Sequence, residues 1–197
     1  MKKLTLILIL LGMYISSFAQ TYDVNYTIEY HLKDARGNEI SRIKLFRNGN
    51  KMKFQKVDNR GASNESTTDM YIFKDDAKVI TVITNSAGKF GTKAALDIMY
   101  VGMQTGIYIL DLGSIDYILN DNSRSGTGTV LGRECVKYTV ISSGDASSDY
   151  YIYQNNLMLK RSVGSATEGN TIEALSYDTG VVPENTFTVP ADVTFMN

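Results

Sequence analysis

The 197-residue chain contains one cysteine, one histidine and two prolines, and these scarcities exclude more than any motif asserts. A single thiol, Cys135, has no partner for an intramolecular disulfide, so the fold is not stapled by bridges and a dithiol redox centre lacks its second sulfur. It reads as a small packing residue. By alternation Cys135 shares a strand face with Lys137 and Thr139, opposite Val136, Tyr138 and Val140, which predicts a solvated side for the thiol. A Ser-His-acid site would have to use His31, and zinc would have to assemble from one cysteine and one histidine far apart in the chain. Few prolines and a mixed surface charge describe a globular domain rather than a disordered tail.

Charge of one sign is also lacking. Twenty basic residues face 21 acidic ones, so the chain has no electrostatic footprint for nucleic acid or anionic lipid. Long apolar runs are missing too, except at the start, where MKKLTLILILLGMYISSFAQ places Lys2 and Lys3 before the apolar stretch Leu4 to Ile15. Ser17 and Ala19 then supply small residues at −3 and −1 of a cleavage site. This predicts a signal peptide over residues 1–19, a single domain over 20–197, and a periplasmic or secreted location. No cysteine follows the apolar stretch to accept a lipid anchor, and no other run is long enough to span a bilayer, so an integral membrane protein is not expected.

What is present is mostly strand pattern. In YDVNYTIEYHL (22–32), Tyr26, Ile28 and Tyr30 alternate with Thr27, Glu29 and His31, the period of a strand buried on one face. That alternation puts His31 on the polar, solvated side. Further strands are expected at 40–47, 51–57, 69–74 and 78–84, with hairpins at Gly37-Asn38 and Asn48-Gly49-Asn50 and a polar loop over 58–68. In KAALDIMYVGMQ (93–104), Leu96, Met99, Tyr100 and Met103 fall at helical spacing. A second helix is expected over 114–121, capped by Ser114, while GIYILDLG between them is compatible with strand or helix. Strands return at 129–141, 148–154, 157–163 and 170–178, with Asn155-Asn156 as a tight turn. The fold class is mainly β with inserted helices: one curved antiparallel sheet, an unclosed half-barrel, with the helices on its concave face.

Motifs for chemistry do not assemble. Asp121, Ser123, Ser125 and Gly126 imitate the start of a calcium loop, but Gly132 stands where a bidentate Glu is required. The glycines of SGTGTVLG run into a strand, whereas phosphate cradles run from a strand into a helix. Two carboxylates can suffice for glycoside cleavage, yet nothing selects a pair among 21. No enzyme activity, cofactor or metal is expected.

The second half of the chain resembles the periplasmic lipoprotein-carrier family of the lipoprotein localisation factor type, and related exported domains. The resemblance rests on GTGTVLGRECVKYTV, where Gly132 and Tyr138 enter a strand, on the hairpin YYIYQNNLMLKRSV, and on Phe187 to Pro190 of FTVPADV. It implies helices capping a concave apolar face in which acyl chains are carried. On that reading the residues facing a hydrophobic ligand, a lipid or a lipidated protein segment are Tyr26, Ile28, Tyr30, Met52, Phe54, Met99, Met103 and Tyr138. The expected function is therefore non-enzymatic binding of such a ligand. The alternative is an envelope structural or sensor protein that docks a protein partner without lipid, since an unclosed sheet leaves edges that accept another strand.

Overall fold

A computed structural model describes residues 24–109, 119–141, 147–154, 156–164 and 169–196. In chain order the strands are β1 (Asn25–Asp34), β2 (Glu39–Asn48), β3 (Lys51–Asp58), β4 (Ser66–Phe73), β5 (Lys78–Asn85) and β6 (Gly88–Ala95). Helix α1 (Ile98–Thr105) follows. After it come β7 (Arg124–Val130), β8 (Arg133–Ile141), β9 (Ser147–Tyr153), β10 (Leu157–Gly164), β11 (Gly169–Asp178) and the short β12 (Thr194–Phe195). All twelve belong to one unclosed sheet in the order β12-β6-β5-β4-β3-β2-β1-β11-β10-β9-β8-β7. Neighbours are antiparallel except β12, which lies parallel to β6. The expected half-barrel architecture is what the chain forms.

The order follows from hairpins and one crossing. β1 to β6 zip sequentially and so do β7 to β11, and β11 returns to pair with β1, joining the two halves. Local chemistry sets the turns. Asp34 Oδ1 accepts the amides of Arg36 at 2.9 Å and Asn38 at 2.8 Å, closing the β1–β2 turn. Leu131 and Gly132 both take positive φ, 52° and 71°, the pairing required by the two-residue turn that matches strand twist. The stretch 129–141 is therefore a hairpin and not the single strand that its apolar content predicts. Leucine rarely occupies such a turn, and its presence hides the break.

Helix α1 is also shorter than its periodicity predicts. Lys93, Ala94 and Ala95 pair with Ile80, Val79 and Lys78, so the ladder with β5 overrides helical propensity up to Leu96. Asp97 then caps the helix by accepting the Tyr100 amide at 3.1 Å. Gly106, at φ 71°, ends it by donating to Gly102 O at 2.7 Å. Gly102 is fixed by contact, because a Cβ there would lie 2.4 Å from the Tyr108 ring. The chain then runs extended through Ile107 to Ile109, where it bridges to Leu157 on β10. Residues 110–118, and with them most of the helix expected at 114–121, lie outside the described residues, as does Asn155 of the expected turn.

The two faces differ in kind. One carries the main core, in which Tyr26, Ile28, Tyr30, Ile43, Met52 and Phe54 pack with Val101 of α1 and with Ile107 to Ile109. The other is laced with cross-strand ion pairs, including Arg42–Glu29 at 2.9 Å, Lys53–Asp69 at 3.1 Å and Lys160–Glu173 at 3.1 Å. Each such pair adds little stability, about 0–1 kcal/mol, but together they keep that face in water. At β4–β5 the polar face has a small second core of Tyr71, Ile80 and Val82, covered by Val189 and Val193 from the C-terminal run.

Candidate functional site

The eight predicted ligand-facing residues do not behave as one group. Tyr26, Ile28, Tyr30, Met52 and Phe54 come together on the core face at 0–1% exposure. They are joined there by Val101 and Ile107, and the Tyr30 hydroxyl donates to Met158 O at 2.9 Å. Burial pushes the Tyr30 phenol well above its ordinary range, with the neighbouring Tyr26 and Tyr177 adding to it. Side chains sealed to this degree leave no water-sized space against them. Tyr138 packs half-buried at the margin of the same cluster. Met99 is half-buried on α1. Met103 is 65% exposed and faces away from the sheet, because α1 begins at Ile98 and buries Val101, Gly102 and Thr105 instead.

Two further expectations are corrected. His31 is 8% exposed rather than solvated. It lies between Glu173 on β11 and Arg42 on β2, with its Nδ1 4.0 Å from Glu39 and its Nε2 buried without a hydrogen bond. Burial, and then the charge of Lys33, lower its pKa. Cys135 is 1% exposed and belongs to the main core, so the thiol faces inward and not toward water. Its Sγ lies 3.6 Å from Arg133 O, and burial pushes its pKa up, the opposite of an activated nucleophile. The packing role read from sequence fits this position; the face assignment does not.

The grooves at the strand ends lie away from the predicted residues. One is lined by Glu39, Ser41 and Arg60, another by Lys33, Asp34, Lys160 and Glu173. Among the described residues no group of three His, Cys, Asp or Glu side chains is placed to hold a metal ion. No helix among them is long and apolar enough to cross a membrane.

Sequence reasoning missed the arginines of the apolar side. The Arg133 guanidinium lies 4.4 Å from the Tyr177 ring and donates to the Tyr153 hydroxyl at 3.0 Å. Arg161 stands near Tyr108 and Tyr150, at 5.6 and 5.5 Å from their ring centres. The bulge between Met158 and Lys160 breaks the alternation of β10, so the face of Arg161 was not readable from spacing.

The sheet edges form the other uncommon feature. Among the described residues β7 is the last strand on its side, most of its residues are exposed, and its only charged side chain is Arg124 at its start. The turn at Leu131-Gly132 makes Val130 and Arg133 a hydrogen-bonded pair, and the ladder then alternates. Gly128 and Gly126 point their backbone groups inward to β8, whereas Thr129 and Thr127 point theirs outward. The free edge thus presents a row of main-chain donors and acceptors without the lysines or prolines that commonly guard one.

No protein-family model matches the chain, and no curated protein matches it. Solved structures of similar shape include a chain from the complex of Pseudomonas aeruginosa MucA and MucB, 11% identical with a TM-score of 0.49. Another comes from MucB in complex with MucA(peri), 12% identical with a TM-score of 0.44. A third is an uncharacterized conserved protein of Thermus thermophilus, 8% identical with a TM-score of 0.44. The likenesses cover 85%, 85% and 88% of this chain and 56%, 55% and 91% of theirs, so the chain spans little more than half the length of the first two. None of the three is named a lipoprotein carrier, and the carrier resemblance remains one of sequence pattern.

Proposed function

We propose that this chain is an exported, non-enzymatic protein that docks a protein partner by adding the partner's extended segment to β7. The leader-like start supports the location. The observation that carries the docking mode is the open edge, where Thr127 and Thr129 turn their backbone groups outward on an uncharged stretch. The sealed packing of Tyr26, Ile28, Tyr30, Met52 and Phe54 weighs against an acyl chain lying among them, since a ligand there would have to displace the core.

Thr129→Pro tests the reading. Proline removes the outward amide, spares the inward ladder, and fits the φ of a strand edge. A partner segment recovered with the native protein is expected to protect the amides of Thr127 and Thr129 from hydrogen exchange, and to be lost from the folded Thr129→Pro variant. Undiminished partner binding by that variant, or native protein carrying stoichiometric lipid and no protein, would overturn the reading.

A further inference from the structure

Arg161 occupies a position where this fold otherwise places core. Its neighbours across the sheet are Ile172 on β11 and Tyr150 on β9, both buried on the main-core face. Its guanidinium carbon lies 5.6 Å from the centre of the Tyr108 ring and 5.5 Å from that of Tyr150, and the two rings meet edge to face at 6.2 Å. Two aromatic faces hold the planar group in place. They do not supply what it lacks. Arg161 Nε is buried with no hydrogen-bond acceptor, and among the described residues no carboxylate stands within ion-pair distance of this guanidinium. Arg42 shows the contrast, bonded to Glu29 at 2.9 Å and to Glu39 at 2.8 Å.

The group is not sealed in. Arg161 is half-buried, and so are Tyr138, opposite Tyr150, and Val140 on the same strand as Tyr138. The core face is therefore sealed at β1–β3 and along Ile152, Leu157 and Met158, and is partly exposed only around Arg161, Tyr138 and Val140 among the described residues of β8–β10. A pre-positioned, half-buried fork with no acceptor among the described residues is suited to a planar oxyanion, and guanidinium matches carboxylate geometry with two parallel bonds.

We propose that Arg161 is the anchor of a carboxylate-binding subsite, with the apolar group that bears the carboxylate resting on Tyr138 and Val140. This does not rest on strand addition at β7. The carboxylate can come from two sources, a small organic acid or the C-terminus of a protein segment, and the recognition chemistry is the same for both.

Fluorescence titration of the full chain with 1-pyrenebutyrate and with its methyl ester tests the first source. An N-acetylated tripeptide ending in phenylalanine, with a free or an amidated C-terminus, tests the second by competition. At least one acid is expected to bind on the order of tenfold more tightly than its neutral form, the scale of a hydrogen bond to a charged group. Arg161→Gln should erase that preference and Arg161→Lys should restore only part of it. Tyr138→Ser should weaken acid and neutral form equally, because it removes the shelf and not the fork. The acid that shows the preference identifies the source. Equal binding of acid and neutral form by the native chain overturns the proposal without any variant. Absence of binding by either, or a folded Arg161→Gln that keeps the preference, overturns it as well.

Discussion

At one edge of the sheet β6 is finished by the chain's own C-terminal run. β12 pairs with Phe90 and Gly91, Met196 N donates to Gly91 O at 2.9 Å, and Lys89 meets Asp192 at 2.6 Å. Lys93 adds a positive charge 4.2 Å from the Phe195 ring. At the other edge β7 carries two inward glycines and two outward threonines, and is the terminal strand among the described residues. One edge has a strand, a charge pair and a cation–aromatic contact over it, whereas the other exposes bare backbone. Edges left unguarded invite pairing, so the asymmetry locates the side at which association is expected.

The largest effect is expected where the covering run is anchored. Tyr71 is buried beneath Val189 and Val193 in the second core, and burial together with the nearby Asp69 carboxylate pushes its phenol well above the ordinary range. Tyr71→Ala should cost about 3–5 kcal/mol by urea titration, as large-to-small core changes do. Hydrogen exchange should quicken over 189–196 while the β7–β8 hairpin keeps its protection. Equal quickening at both edges would show that they are not independent.

A smaller change converts the covered edge into an open one. A Cβ at Gly91 would lie 2.6 Å from Val193 Cγ1 and 2.8 Å from Phe195 Cε1. Gly91→Val should therefore lift β12 off β6 at a cost of about 1–3 kcal/mol. If an uncovered edge is sufficient for association, this variant gains concentration-dependent self-association by light scattering. A monomer with β12 displaced would mean that the features of β7, and not exposure alone, decide.

Much of this frame was legible in the chain, for a physical reason. Strands with one buried face reveal themselves by alternation, as Tyr26, Ile28 and Tyr30 do, and glycine or asparagine marks most turns. Edges are the hard part. β6 reads GKFGTKAA and β7 reads RSGTGTV, both largely exposed, so neither has an apolar side to alternate. Helical spacing extended α1 backwards into β6, and it chose Met103 when the cap at Asp97 sets a different buried side. His31 and Cys135 are buried from the nominally polar side of their alternation, which no period of two predicts. The candidate site divides in the same way: Tyr138 was readable from pattern, but Tyr108, in a stretch compatible with strand or helix, and Arg161, displaced by a bulge, were not.

The turn next to the open edge offers a gain in stability. Leu131 holds φ 52° while 42% exposed, a conformation disfavoured for leucine and natural for asparagine. Leu131→Asn should stabilise the chain by about 1 kcal/mol, seen as a raised urea midpoint at unchanged slope. Strained exposed residues often sit at functional surfaces. If the leucine is an apolar contact for the segment docking on β7, the same variant should weaken partner binding as it gains stability. A gain with binding intact would confine docking to the backbone row.

The smallest effect, a slope and not a midpoint, concerns the seam between the two halves. β1 pairs with β2 on one side and β11 on the other, so both edges depend on it, and His31 is buried within it. Burial is the main cause of its lowered pKa, Lys33 and Arg42 lower it further, and Glu173 and Glu39 partly offset them. A histidine lowered in the folded state binds fewer protons there than in the unfolded chain once pH falls below about 6.5. Its contribution is therefore fully present above that pH and is lost as pH falls toward the folded value. Between about pH 7.5 and 5.5 the lowered carboxyls of Asp34, Glu39 and Asp192 stay ionised in the folded chain, so the slope in that window belongs to the histidine. Unfolding free energy should decline with acidification in the native chain and stay flatter in His31→Gln. Because the seam serves both halves, amide protection factors, taken against the intrinsic rate at each pH, should fall over β6 and β7 alike at about pH 5.5, erasing the contrast between the edges. Acid that loosens only one edge would show that the halves do not share β1 as their common support.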